Sequence, residues 1–150
     1  MLEQNKARKL DVMLRKAEEF HGHLGPFLVL GVRIGIIGVR ELGVKGNDEK
    51  LHITAMLKNF VPFSCVIDGI QVATKCTIGN KKLGLRNSSE IAAKFELQSG
   101  EQVTVAVDPT AFDRLKKELL SEKVPAEEVR HLAQLVASMP EEELFIIRRK

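Results

Sequence analysis

The 150-residue chain is long enough for one ordinary domain that buries roughly two-thirds of the surface its unfolded form exposes, so neither a disulfide framework nor a structural metal is needed to hold it. Apolar residues at 44% and charged residues at 29% exclude a disordered or fibrous protein. A net charge of only +3, no Trp, no Tyr and seven Phe that fall mostly in apolar patterns disfavour a nucleic-acid surface.

The opening stretch MLEQNKARKL mixes charges of both signs and has no apolar signal core, so a cytoplasmic location is expected. Leu10, Met13, Leu14, Ala17 and Phe20 recur at helical spacing, predicting an amphipathic helix over roughly residues 5–20 that ends at the His21-Gly22-His23 turn. Gly25-Pro26 resets the backbone, and a second helix is expected from Pro26 to Leu42 with Gly43 as its stop. Its apolar run from Phe27 to Val39 is too short to span a bilayer and reads as a buried helix. Gly31, Gly35 and Gly38 inside it each cost up to about 1 kcal/mol relative to alanine, which requires close approach by another element, of this chain or of a partner.

His52 to Lys58 alternate as a strand with one buried face. From Ser64 to about Thr74 the pattern is helical, with Ser64 as cap and Cys65 in the first turn. Cys76 to Asn80 form a turn, and Ala93, Phe95 and Leu97 pair with Val103, Val105 and Val107 in a hairpin through Ser99-Gly100. Asp108-Pro109 caps a helix to about Leu120, Pro125 opens another to about Ser138, and Leu144 to Ile147 form a closing strand. The expected class is α+β: one compact domain over residues 1–150 with N-terminal helices, a mainly antiparallel sheet and C-terminal helices.

Chemistry concentrates in two places. Phe20-His21-Gly22-His23-Leu24-Gly25-Pro26 sets two imidazoles on a glycine turn that can aim both inward, and neutral imidazole is a common metal ligand. Cys65, placed in a first helical turn, would be favoured as thiolate by the helix terminus, and Asp68 one turn on can reach the same pocket as ligand, orienting acceptor or base. Two His and one Cys suit zinc with a position left open. Against this stands the bland reading: a buried cysteine is usually an inert small hydrophobe and one histidine can simply cap the preceding helix.

Cys76 reads as a buried turn residue or a third soft ligand. Across a mostly helical stretch it lies on the order of 15 Å from Cys65 at ~1.5 Å rise per residue, too far for a disulfide. Asn80-Lys81-Lys82 matches no phosphate-loop fingerprint, and His52 and His131 read as surface residues.

The histidine motif, the glycine-containing helix after it, Cys65-Val66-Ile67-Asp68-Gly69-Ile70-Gln71 and Cys76-Thr77-Ile78-Gly79-Asn80 together resemble the FmdE-like family, which takes its name from a component of formylmethanofuran dehydrogenase. The resemblance spans roughly residues 18–95, with the motifs in order and compatibly spaced. It implies an α+β core, an intertwined homodimer, and a cleft with His21, His23 and Cys65 as ligands of a divalent metal, zinc first and nickel or iron as alternatives. It also assigns Cys65 and Asp68 to catalysis and Gln71, Cys76 and Asn80 to binding an unknown small-molecule ligand or cofactor. Two departures stand out: Lys75 occupies a position where the family usually has glycine, and only the core domain is expected, without a paired-cysteine C-terminal zinc module.

Residues and resemblance together leave three functions open. The first is a metal-binding accessory factor or enzyme of molybdenum- or tungsten-linked one-carbon metabolism. The second is a metal-independent enzyme with Cys65 as nucleophile. The third is a non-catalytic subunit whose glycine-bearing helix packs on a dehydrogenase partner.

Overall fold

The computed structural model describes residues 2–120 and 124–149. In chain order the elements are α1 (Leu2–His21), α2 (Pro26–Leu42), β1 (Leu51–Leu57), α3 (Cys65–Thr74), β2 (Leu83–Asn87), β3 (Ala92–Leu97), β4 (Gln102–Val107), α4 (Pro109–Leu120), α5 (Ala126–Ser138), α6 (Glu141–Leu144) and β5 (Phe145–Arg149). The strands form one sheet in the order β2-β1-β3-β4-β5, parallel only between β1 and β2. The class is α+β, as expected.

Helix α2 is the centre of the molecule. It is apolar on nearly every side, a pattern that demands burial all round, and it touches α1, α3, α5, β3 and β4. Pro26 opens it at a position where the missing N–H costs nothing, and Gly43 closes it in the left-handed conformation at φ 68°. Its half-buried cation, Arg33, is satisfied across the core: Nη1 donates to the carbonyls of Val136 at 2.8 Å and Met139 at 2.6 Å, capping α5, while the guanidinium lies 5.5 Å from the Phe145 ring centre. Burial lowers its pKa, with Glu141 and Glu142 acting in the opposite direction.

The three glycines of α2 have partners within the chain. A Cβ at Gly31 would run into the carbonyl of Val66, one at Gly35 would lie 2.7 Å from the Ala73 Cβ, and one at Gly38 would enter the Phe95 ring. Gly69 of α3 reciprocates, since a Cβ there would lie 2.6 Å from the Val32 nitrogen. Two helix backbones are thus in direct contact, which fixes α3 and everything it carries.

The sheet behaves as its alternation predicts. Leu51, Ile53, Ala55 and Leu57 of β1 are buried, whereas His52 is exposed. The parallel edge strand β2 was not expected from the sequence, and Leu144 ends α6 instead of opening the last strand; β5 starts at Phe145. The Leu144 carbonyl accepts from the Asp108 N–H at 2.7 Å, and the Asp108 carboxylate accepts from the Thr110 and Ala111 amides, capping α4 as expected. No helix among the described residues is long and apolar enough to cross a membrane.

Phe27, Phe63 and Phe112 meet edge to face with centroids 5.3, 5.5 and 6.1 Å apart. Each such contact adds about 0.5–1.5 kcal/mol beyond area burial. The cluster pins the Pro62-Phe63 loop, and through it the start of α3, against the start of α2.

Candidate functional site

His21 is the last residue of α1. The next residue, Gly22, adopts φ 105°, a conformation open to glycine and strained for other residues, while its N–H still closes the helix on the Glu18 carbonyl at 2.8 Å. The reversal brings His23 beside His21, ring centroids 4.7 Å apart and tilted by 44°. Gly25 and Pro26 then start α2, so the histidine turn is held at both ends by helices packed on the core.

Helix α3 supplies the facing groups. Cys65 is its first residue, with Asp68 and Gln71 following at one-turn intervals along one side. Asp68 Oδ2 and His21 Nδ1 are 2.6 Å apart, Gln71 Nε2 donates to Asp68 Oδ1 at 3.4 Å, and the Ile78 N–H donates to Gln71 Oε1 at 3.0 Å. A hydrogen-bonded line therefore runs from the 76–80 turn to the imidazole. In the tautomer that gives Nδ1–H to the carboxylate, Nε2 keeps its lone pair, and this atom is buried with no hydrogen-bond partner among the described residues. A carboxylate behind one nitrogen and a free second nitrogen is the arrangement of a metal-ligating histidine.

His21, His23 and Cys65 share one cleft of about 380 Å³, with Phe27, Pro62 and Val129 among its walls. Among the described residues, no three His, Cys, Asp or Glu side chains are already gathered tightly enough to hold an ion. The orphaned His21 nitrogen and the chemistry of the donor set, two imidazoles and a thiol lining one cavity, fit such an ion nonetheless.

The thiol departs from expectation. Ser64 is helical at φ −64°, ψ −13° and makes no side-chain cap, so it does not play the capping role read from the sequence. The chain instead enters α3 through a tight turn: the amides of Cys65, Val66 and Ile67 donate to the carbonyls of Pro62, Phe63 and Ser64 at 3.1, 3.1 and 3.0 Å. Those N–H groups are largely engaged within the turn, and the pull of the Cys65 N–H toward thiolate is smaller than the opposing effects. Burial first, and the Asp68 carboxylate second, push the Cys65 thiol above its ordinary pKa. In the metal-free chain this is the reverse of an activated nucleophile.

The structure does not bring Cys76 and Asn80 to the cleft. Cys76 is fully buried beyond the far end of α3, its sulfur 3.5 Å from the Gly46 carbonyl oxygen, and burial pushes its thiol up as well. Asn80 staples its own turn: Oδ1 accepts from the Thr77 and Lys82 amides at 3.0 Å, and Nδ2 donates to the Lys75 carbonyl at 2.8 Å. Gln71 acts on Asp68 from behind the cleft. Both cysteines are free. Lys75 ends α3 at φ 61°, in the left-handed region, which explains physically why glycine suits that position. Sequence reasoning missed the walls given by Leu119, Val124 and Val129, which carry no signal beyond being apolar.

Fold and cleft together define an α+β protein with a His-Cys pocket between its N-terminal helices and α3. The family model described as "FmdE, Molybdenum formylmethanofuran dehydrogenase operon" matches residues 20–146. The chain belongs to the FmdE family. It is 43% identical over 82 residues to a probable S-adenosyl-L-methionine-binding protein of Archaeoglobus fulgidus, a match covering 54% of this chain and 22% of that protein. The chain thus matches about a fifth of that relative's length. Its fold is similar to the crystal structure of a tungsten formylmethanofuran dehydrogenase FmdE-like protein from Syntrophus aciditrophicus, with a TM-score of 0.61, 20% identity, and coverage of 94% of this chain and 71% of that one.

Proposed function

We propose that the chain binds a divalent metal ion through His21, His23 and Cys65 and serves formylmethanofuran dehydrogenase-type one-carbon metabolism as an accessory factor or enzyme. The observation that carries this reading is the buried His21 Nε2, without a partner among the described residues, opposite a 2.6 Å contact from Nδ1 to Asp68. Zinc is favoured over nickel or iron because two imidazoles and a thiolate match its usual donor set. Bound there, the ion would supply Lewis-acid character at an open coordination position. Asp68 would hold the His21 tautomer, Gln71 would hold Asp68, and the apolar walls would exclude bulk water.

The two alternative readings lose support. A metal-independent Cys65 nucleophile sits poorly with a thiol pushed upward by burial and by Asp68. Docking to a dehydrogenase through the glycine face of α2 is disfavoured by α3 and Phe95, which pack against that face. Association with a second copy or with a dehydrogenase component would use other surface, such as the exposed Phe20, Phe60 and Val61. A cytoplasmic, reducing compartment suits the two free cysteines.

Zinc titration against a chromophoric chelator tests the reading. His21→Ala and Cys65→Ser should each weaken binding sharply; affinity unchanged in both variants would remove this cleft as the metal site.

A further inference from the structure

We propose that Asn80 is a positioning residue for the His21 imidazole: from outside the cleft it acts through Ile78, Gln71 and Asp68 to fix which ring nitrogen carries the proton. This deepens the reading of the cleft as the functional site and rests on it, because the nitrogen left free is the one that a ligand would meet.

The contacts between Asn80 and His21 run in a fixed direction. The Ile78 backbone N–H has only a proton to give, so the Gln71 side-chain oxygen, 3.0 Å away, is the end of the amide that faces it. That choice turns the Gln71 NH2 toward Asp68, where it donates to Oδ1 at 3.4 Å. An ionised carboxylate only accepts, so its second oxygen, Oδ2, receives the Nδ1–H of His21 across 2.6 Å. A neutral imidazole has one N–H, and Nε2 is left with its lone pair. Were the Gln71 amide reversed, two donors would meet at Ile78 and two acceptors at Asp68, and the carboxylate would lose its restraint.

Asn80 holds the first donor of this series in place. Its Oδ1 accepts from the Thr77 and Lys82 amides, both at 3.0 Å, its Nδ2 donates to the Lys75 carbonyl at 2.8 Å, and its own amide donates to Thr77 Oγ1 at 3.0 Å. One side chain thereby ties the C-terminal end of α3 to the turn that carries Ile78. The Leu83 N–H, donating to the Thr77 carbonyl at 3.1 Å, fastens the same turn to the start of β2. Ile78 and Asn80 are themselves exposed, so without the staple the Ile78 N–H is free to turn to water. The Gln71 amide then loses the partner that orients it. Asn80 does not line the cleft, so its effect on His21 passes along this line of contacts.

The test reads the proton itself. The full chain, carrying isotope-labelled histidine and kept in chelator, is held at about pH 8, above the ordinary imidazole range. Long-range proton–nitrogen correlation spectra show which ring nitrogens are protonated, and His21→Ala identifies the His21 signals. In the parent, His21 should be in the Nδ1–H form. Asn80→Ala should shift the tautomer ratio toward Nε2–H by about three- to tenfold, less than the roughly 10–100-fold that goes with losing the group directly behind a ligating histidine. Zinc competition against a chelator should weaken by a similar factor. His131, on α5, should keep its parent signals in the same spectra, which separates this effect from a loosened fold.

Gln71→Leu removes the middle link. Asn80→Ala added to Gln71→Leu should shift the ratio no further, since contacts acting in series do not add. A parent His21 in the Nε2–H form, a ratio unmoved by Asn80→Ala, or an Asn80→Ala shift that adds in full to that of Gln71→Leu would overturn the proposal. The tautomer is read without metal, so a chain that binds no zinc leaves this result standing. An unmoved tautomer in a chain that does bind zinc removes the role of Asn80 alone.

Discussion

Gly31 of α2 and Gly69 of α3 lie at a crossing where the two helix backbones touch: a side chain at Gly31 would strike the Val66 carbonyl, and one at Gly69 would press on the backbone of Leu28 to Val32. The contact sets the distance of Cys65 and Asp68 from the histidine turn. Gly31→Ala gains up to about 1 kcal/mol of helix propensity but forces the helices apart, and overpacking costs roughly 1–3 kcal/mol or more. We therefore expect a lower urea midpoint together with weakened metal binding. A variant as stable as the parent would mean that the crossing is not close.

Replacing Lys75 by glycine should stabilise the fold. A non-glycine residue at φ 61° carries strain, and the side chain is exposed, so Lys75→Gly removes strain without losing packing. Part of the gain is lost to the greater freedom of glycine in the unfolded chain. We expect a net stabilisation of about 0.5–1 kcal/mol in urea denaturation. Destabilisation would show that the lysine makes a compensating contact.

Asp68→Ala should leave the fold intact and lower metal affinity by roughly 10–100-fold, the usual effect of removing the group behind a ligating histidine. Gln71→Ala should give a smaller loss, since its hydrogen bond to Asp68 is long at 3.4 Å. Competition against a chelator measures both. Equal affinities in parent and Asp68→Ala would mean that Asp68 does not support the site.

The pH behaviour of the thiols follows from burial. Both cysteines are pushed above the ordinary range in the folded chain, so the protons are held more tightly folded than unfolded. That contribution to stability is complete below the unfolded thiol range, about pH 8.5, and is lost as pH rises through the folded values. Metal-free protein should therefore lose stability on the alkaline side, and Cys65 should alkylate more slowly than glutathione at pH 8. Asp68→Asn should speed that alkylation only partly, because burial is the larger cause. Alkylation faster than glutathione would restore the nucleophile reading.

Much of this architecture is legible in residues that act locally. Pro26 and Gly43 bound α2, Asp108-Pro109 starts α4, and the alternation from His52 to Lys58 marks β1, each through backbone geometry or side-chain period. Strand β2 is hidden because Leu83-Gly84-Leu85-Arg86-Asn87 buries a single residue, so its strand character comes from parallel pairing with β1 and not from its pattern. The partner of the α2 glycines could not be read either, since Val66 and Phe95 meet them only after the chain has folded.

The candidate site divides the same way. His21, His23, Cys65 and Asp68 announce themselves by residue type, whereas the use of the Cys65, Val66 and Ile67 amides in the turn, and of Asn80 in its own loop, depends on backbone angles the sequence does not display.

The most direct measurement is metal content by mass spectrometry on untagged protein purified without added metal, beside His21→Ala and Cys65→Ser. A metal-binding cleft predicts about one equivalent per chain, lost in both variants. A parent protein that stays metal-free after zinc, nickel and iron have been offered would contradict it.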